Sequence, residues 1–257
     1  MKKIFIYLLA TFLLVFAVSA VQVYRTLKNY KQGREEYDHV FELAVQQPDD
    51  SVEKPATEIP NENENEFPDI FIDHQLMKAL NDDYRGWLRI PGTNIDYPVV
   101  WYGNNEYYLS RTFLGNYNAA GCIFLDNRTD SFDLDHVVIY GHRMNDGSMF
   151  ADLRNFLDDD YLDERRDILI LTETETILYE IFSARKVEVT DECFTFYFIN
   201  DTGYGSWFNK MISFSPYNAA TTQDTKEIIT LSTCVYNDES SRLIIQAFLI
   251  GRYPSKP

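Results

Sequence analysis

Apolar and polar positions alternate differently along three stretches of the chain. From Ile4 to Tyr24 runs IFIYLLATFLLVFAVSAVQVY, an unbroken segment without a charge. At a rise of about 1.5 Å per residue, this run crosses the hydrocarbon core of a bilayer as a helix. A cleavable signal peptide is the competing reading, because Lys2 and Lys3 form a short basic region and Val18-Ser19-Ala20 offers small residues for cleavage. The run is long for such a peptide, which favours a retained anchor over residues 1–24. Beyond it, Tyr30, Tyr37, Val40, Phe41 and Ala44 recur near helical spacing and predict a juxtamembrane helix over 25–45.

Residues 46–68 (QQPDDSVEKPATEIPNENENEFP) break that periodicity. Rich in proline and acid and almost devoid of large apolar residues, they cannot bury enough surface to offset chain entropy. The expectation is an acidic linker that lets the following domain stand off the bilayer.

From Asp69 to the end, residues 69–257, the pattern is that of a folded domain. IFIDHQLMKALNDDY predicts one helix, with Ile70, Leu76, Met77 and Leu80 on a face. Short β-rich runs follow: GWLRI, DYPVVWY, AGCIFLD, HVVIYGH, DILILT, TILYEIFSARKVEV, CFTFYFI, EIITLSTC and RLIIQAFLIGRY. Turn signals such as PGTN, GNYN and NDTG separate them. Residues 148–157 (SMFADLRNFL) and 204–214 (YGSWFNKMISF) read as helical interruptions. Regular short strands with few helices between them favour a mainly β, closed-barrel domain over an alternating α/β sheet.

Composition narrows the function. Apolar residues make up 45%, with 18 Tyr and 18 Phe, which supports a core built largely from strands. A net charge of −17 argues against nucleic acid, whose phosphates call for clustered Lys and Arg. The basic residues Lys2, Lys3, Arg25, Lys28, Lys31 and Arg34 precede the first acid, Glu35. A basic end on an acidic chain suits a segment resting at an anionic membrane face. They flank the apolar run on both sides, so charge alone does not settle orientation. Export of the remainder is common to the anchor and signal-peptide readings. No Gly-rich phosphate loop and no Cys or His pair at metal spacing occurs, so neither cofactor nor metal is predicted.

The three cysteines are Cys122, Cys193 and Cys234, an odd number that leaves at least one thiol free or paired with another molecule. Cys122 and Cys193 sit in apolar runs and read as small core residues. Cys234 ends EIITLSTC, His142 follows HVVIYG, and Arg242 opens RLIIQAFLIG. A strand presents its terminal residue at the rim, within reach of a substrate. There a thiolate is a strong nucleophile, an imidazole can carry protons between thiol and leaving amine, and a guanidinium can stabilise charge on a carbonyl oxygen. Taken singly, each has a plainer explanation: a structural cysteine, a turn histidine, a strand-edge charge. His39, His74 and His136 are weaker candidates by position.

The wording of these segments resembles the class B sortases. TLSTC (Thr230 to Cys234), an Arg eight positions on and YGHRM (Tyr140 to Met144) carry the resemblance. NDDYRGWLRIPGTNIDYPVV, NEYYL and FLGNYNAAGCIFLD extend it over roughly Asp69 to Tyr253. The resemblance implies a sortase-type eight-stranded β-barrel with an N-terminal helix and a helix between strands six and seven, on the outer face of a Gram-positive cell. It implies a cysteine transpeptidase, membrane-anchored through its N-terminal helix, that cleaves a C-terminal sorting motif of a secreted protein after Thr. Cys234 would hold the Thr carbonyl as a thioester, His142 would act as acid and then base, and Arg242 would hold the carbonyl or oxyanion. The acceptor would be an amine of a cell-wall peptidoglycan precursor. Ser232, Asn105 and Leu109 fall where such enzymes line the substrate groove. Two other readings stand beside it: a hydrolytic cysteine peptidase using the same Cys and His, and a non-catalytic membrane-tethered module that binds a surface partner.

Overall fold

The structure, a computed structural model, describes residues 2–46, 71–198, 201–215, 227–235 and 238–255. Helix α1 spans Lys2–Ala44 without interruption, so the apolar run and the amphipathic run that follows form one rod. Its first half is long and apolar enough to cross a membrane, and none of its apolar window is buried among the described residues. In its second half Tyr37, Val40 and Ala44 are buried, a stripe at helical spacing that packs on the folded domain.

The chain therefore meets the domain before residue 46, not after residue 68. Val45–Gln46 pairs antiparallel with Phe71–Ile72, with Val45 opposite Ile72. The linker thus leaves and re-enters at one spot on the domain surface. The expected acidic linker itself, apart from Gln46, lies outside the described residues. The same pairing corrects the helix expected from Ile70 onward. Phe71 and Ile72 are extended, and α2 is only His74–Leu80. Asp73 starts it by accepting from the Leu76 amide at 2.8 Å, an N-cap that stabilises a helix start by about 1 kcal/mol.

Eight strands close into a barrel: β1 (Tyr84–Arg89), β2 (Asp96–Val100), β3 (Ile123–Leu125), β4 (His136–Tyr140), β5 (Asp167–Leu171), β6 (Glu175–Glu188), β7 (Ile228–Val235) and β8 (Asp238–Pro254). Their order around the barrel is β8-β6-β5-β1-β2-β3-β4-β7. Neighbours run antiparallel except β2 with β3 and β4 with β7, which are parallel. Alternate residues face in and out. Val137, Ile139, Ile229, Leu231, Leu243 and Ile245 belong to the interior core. The outward Ile228, Ile244 and Phe248 join Trp207, Phe208 and Met211 in a second core. That outer core lies under helix α4 (Asp201–Ile212), between the sixth and seventh strands as expected. A short helix α3 (Asp159–Glu164) lies between β4 and β5.

Two predicted elements differ. Residues 150–157 form 3-10 turns, not an α-helix, burying Phe150, Leu153 and Phe156. Residues 193–198 of CFTFYFI do not form a strand. A 3-10 turn at Glu192–Phe194 starts it, with the Asp191 carboxylate accepting from the Cys193 amide at 2.9 Å. The Phe196 ring then stacks on His136, and Phe198 packs on Tyr204 and Trp207 of α4. Its aromatic alternation serves a lining between barrel and helix, which resembles a strand in sequence but has no ladder partner.

Candidate active site

Strand register brings the candidate residues together. Along the parallel pair β4 and β7, His136 stands opposite Ile228, Val138 opposite Thr230 and Tyr140 opposite Ser232. Gly141 extends the pairing, its amide donating to the Ser232 carbonyl at 3.2 Å. Two residues beyond Tyr140 lies His142, and two beyond Ser232 lies Cys234. A period of two keeps each on the face of its predecessor. From the other side, antiparallel β8 sets Arg242 opposite Cys234, Ile244 opposite Ser232 and Gln246 opposite Thr230. Paired neighbours are about 5 Å apart. Sulfur and guanidinium therefore end one outward sheet face as a cross-strand pair, and the imidazole, two residues past β4, lines the same cleft.

This cleft has a volume of about 570 Å³. Tyr140, Gly141, Ser232 and Thr233 line it from the sheet, Asn105, Leu109 and Arg128 from the preceding loops, and Val189–Thr195 from the segment after β6. Cys234 is exposed, whereas Cys122 and Cys193 are fully buried. Burial pushes the Cys122 thiol up to about 12 and, together with Asp191, raises Cys193 far above its ordinary range. Cys234 is thus the one solvent-accessible thiol among the described cysteines.

His142 is held through its Nε2, 2.7 Å from the Leu109 carbonyl. A carbonyl only accepts, so Nε2 carries a hydrogen and Nδ1 is the nitrogen left for proton exchange. Gly121 makes room for the ring. Its φ is +59°, and a Cβ there would lie 3.0 Å from His142 Cδ2 and 2.5 Å from the Tyr108 carbonyl. The loop beyond His142 closes on itself, the Phe150 amide donating to the His142 carbonyl at 2.9 Å. Arg242 donates from Nη1 to the Ser241 carbonyl at 2.9 Å, which leans the guanidinium along its own strand.

The three groove candidates are all at the cleft but differ in state. Ser232 is buried, and its Oγ has no hydrogen-bond partner among the described residues. Leu109 is exposed and serves His142 through its carbonyl. Asn105 is committed, donating to Asp126 at 3.2 Å and accepting from the Asn127 amide at 2.7 Å.

Sequence reasoning missed the group around Asp126. Its fully buried carboxylate accepts from Arg128 at 2.7 and 2.8 Å and from Tyr140 Oη at 2.9 Å. Burial works against its charge, but the Arg128 and Tyr140 bonds outweigh that and hold the carboxyl below its ordinary value. Arg128 in turn lies 3.7 Å over the Phe196 ring and lines the cleft. The signal was present in LDNR (Leu125 to Arg128), where an Asp and an Arg two apart leave a strand end together. The wall from Val189 to Thr195 was also missed, because nothing local in those residues indicates what they face.

A closed eight-stranded barrel with a thiol, an imidazole and a guanidinium lining one cleft is an arrangement suited to acyl transfer through a covalent intermediate. A family model described as "Sortase domain" matches residues 88–250. Sortase B of Listeria monocytogenes is 36% identical over 185 residues, covering 68% of this chain and 73% of that protein. Sortase B of Bacillus anthracis, solved in complex with AAEK1, superposes with a TM-score of 0.70 at 28% identity, over 88% of this chain and 100% of that one. A Staphylococcus aureus sortase B–substrate complex superposes with a TM-score of 0.63 at 27% identity, over 69% and 84%. The chain belongs to the sortase family of transpeptidases. Its similarity to these relatives is to class B.

Proposed function

We propose that the chain is a membrane-anchored transpeptidase that cleaves a C-terminal sorting motif of secreted proteins after Thr and transfers them to an amine of a peptidoglycan precursor. The observation that carries this reading is the lining of one cleft by His142 and by Cys234 and Arg242, which are paired across β7 and β8. In it, the Cys234 thiolate attacks the Thr carbonyl carbon. Arg242 stabilises the oxyanion, an interaction of a kind worth about 2.7–4 kcal/mol in the transition state. The C–N bond breaks as His142 gives its proton to the departing amine, leaving a thioester. An incoming amine attacks the thioester, His142 takes its proton, and the thiolate is released with a new amide bond formed.

Ser232 supplies a free hydroxyl to the bound peptide. Its unpartnered Oγ beside the cleft supports this role, since a buried polar atom otherwise costs about 1–3 kcal/mol. Leu109 offers an apolar contact and Asn105 a polar rim. The apolar half of α1 holds the enzyme in the membrane as a single pass, with the barrel outside the cell. That a related sortase B has been solved with a substrate supports a peptide in this cleft.

Incubating the chain with a sorting-motif peptide and triglycine tests the reading by mass spectrometry. A ligated product is expected, and its loss in Cys234→Ala. Hydrolysis without ligation would instead mark a peptidase, and no turnover in the presence of any motif peptide would return the chain to a binding module.

A further inference from the structure

Helix α1 does more than tether, because it is continuous and docks at defined heights. If Tyr24 marks the edge of the hydrocarbon, a rise of about 1.5 Å per residue puts Asn29 about 7.5 Å, Tyr37 about 20 Å and Phe41 about 25 Å above it. The headgroup layer is about 5–7 Å thick on each side. Each of these residues touches a known part of the domain. Asn29 Oδ1 accepts from the Ala119 amide at 3.0 Å, and its carbonyl accepts from Asn118 at 2.8 Å. Tyr37 Oη donates to the Gly121 carbonyl at 2.6 Å, and Gly121 adjoins His142. Arg34 pairs with Asp146, in the loop after His142, at 3.1 Å. Phe41 lies by Trp87 of β1, ring centroids 6.3 Å apart. Register then leads from Trp87 through Leu171 and Thr176 to Tyr253.

The contact is close enough to transmit orientation. Gly33 faces Asn118 so tightly that a Cβ there would sit 2.9 Å from its Oδ1. Glu36 adds bonds to the Leu114 amide at 3.2 Å and to Asn116 at 2.9 Å. A helix fixed at Asn29, Gly33, Glu36 and Tyr37 along a buried stripe leaves the barrel no freedom to swing about the anchor.

The geometry points to a barrel seated with its active-site end toward the bilayer, the Asn118–Ala119 turn resting on the lipid headgroups and His142 held about 20 Å above the hydrocarbon edge. This rests on the membrane-anchor reading of α1. An average helix tilt of about 20° shortens the heights by only a few per cent and keeps their order. The exposed Lys28 and Lys31 lie at the level of the turn, where they meet lipid phosphates. The partner of this surface is thus the headgroup layer. The cleft at this height admits an acceptor amine carried by a membrane-held molecule without any hinge.

The test uses the full chain, carrying Cys234→Ala, in vesicles of phosphatidylglycerol and phosphatidylethanolamine with a small fraction of nickel-chelating lipid. A nitroxide is attached at Ala119→Cys or at Tyr253→Cys, the buried Cys122 and Cys193 remaining unlabelled. Relaxation enhancement by the headgroup-bound nickel should be several-fold greater at position 119 than at 253. Breaking the rod with Thr26→Pro and Leu27→Gly should bring the two positions together. Equal enhancement in the unbroken chain, or a difference that survives the break, overturns the seating while leaving the anchor intact. Failure of the chain to float with the vesicles overturns the anchor and the seating with it.

Discussion

Two histidines six positions apart, His136 on β4 and His142 two residues past its end, are in opposite circumstances. His136 is sealed beneath α4, its ring 4.6 Å from Trp207 and stacked on Phe196. Nδ1 donates to the Thr195 carbonyl at 2.9 Å, and Nε2 accepts from Thr230 Oγ1 at 3.0 Å, which itself accepts from Gln246 at 3.3 Å. Every polar group in that row has a partner, and burial lowers the His136 pKa to about 4. His142 has one nitrogen committed and one open, beside an exposed cysteine. The same sheet face is thus a core at one end and a reaction surface at the other. The difference lies in what covers it: α4 and the 193–198 lining stop short of the last row. A histidine or cysteine on a strand carries chemistry here where its cover ends, and residue type alone does not distinguish the two ends.

The comparison breaks most sharply at the cysteines. Cys234→Ala should lower transfer at least about a thousandfold with no loss of stability, as removing a covalent nucleophile does. Cys193→Ala should leave transfer per folded molecule intact and cost about 1–3 kcal/mol in a urea titration, as a buried truncation does. The histidines should divide the same way. His142→Ala should abolish transfer with a change in stability under about 0.5 kcal/mol. His136→Ala should cost about 2–4 kcal/mol by leaving a cavity and unpaired partners at Thr195 and Thr230, with the activity of the folded fraction unchanged.

Acid should lower stability through the sealed end. The fold holds His136 unprotonated down to about 4, whereas the unfolded chain takes up its proton near 6.5. Between those values the unfolded state binds more protons. The stability this contributes is full above about 6.5 and is lost as pH falls toward 4, at up to about 1.4 kcal/mol per unit. His74, which burial also lowers to about 4, shares the window. Urea midpoints at stepped pH should therefore fall from 6.5 to 4, and the slope should flatten by about half in His136→Gln. The smallest effect belongs to Ser232→Ala. Its hydroxyl has no partner among the described residues, so stability should hold or rise by up to about 1 kcal/mol. Thioester formation with a sorting-motif peptide should slow by about threefold to tenfold, through a higher KM, for one lost neutral hydrogen bond.

Eight of the nine β-rich runs became barrel strands, because their alternation records burial on two faces, and α4 overlaps the run 204–214 read as helical, whose place between the sixth and seventh strands came from the sortase resemblance. CFTFYFI misled because packing between barrel and helix asks for the same aromatic alternation as a strand. Asp73 delayed the start of the predicted helix by capping it at His74, while Phe71 and Ile72 went into strand pairing, a competition that periodicity does not register. At the site, Cys234, His142 and Arg242 stood out by chemical type at strand ends. Their convergence depends on β4 and β7 being parallel neighbours, a pairing across about ninety residues with no local trace. For the same reason the docking of α1 on Asn118 and Gly121, and the wall from Val189 to Thr195, were not legible.

The most direct measurement of the account is the site of acylation by a sorting-motif peptide carrying a thiol-reactive group, read by peptide mass spectrometry at neutral pH. The account predicts one adduct, on Cys234, that Arg242→Ala slows and His136→Gln does not. An adduct distributed over Cys122, Cys193 and Cys234, or none on Cys234 while transfer proceeds, would contradict it.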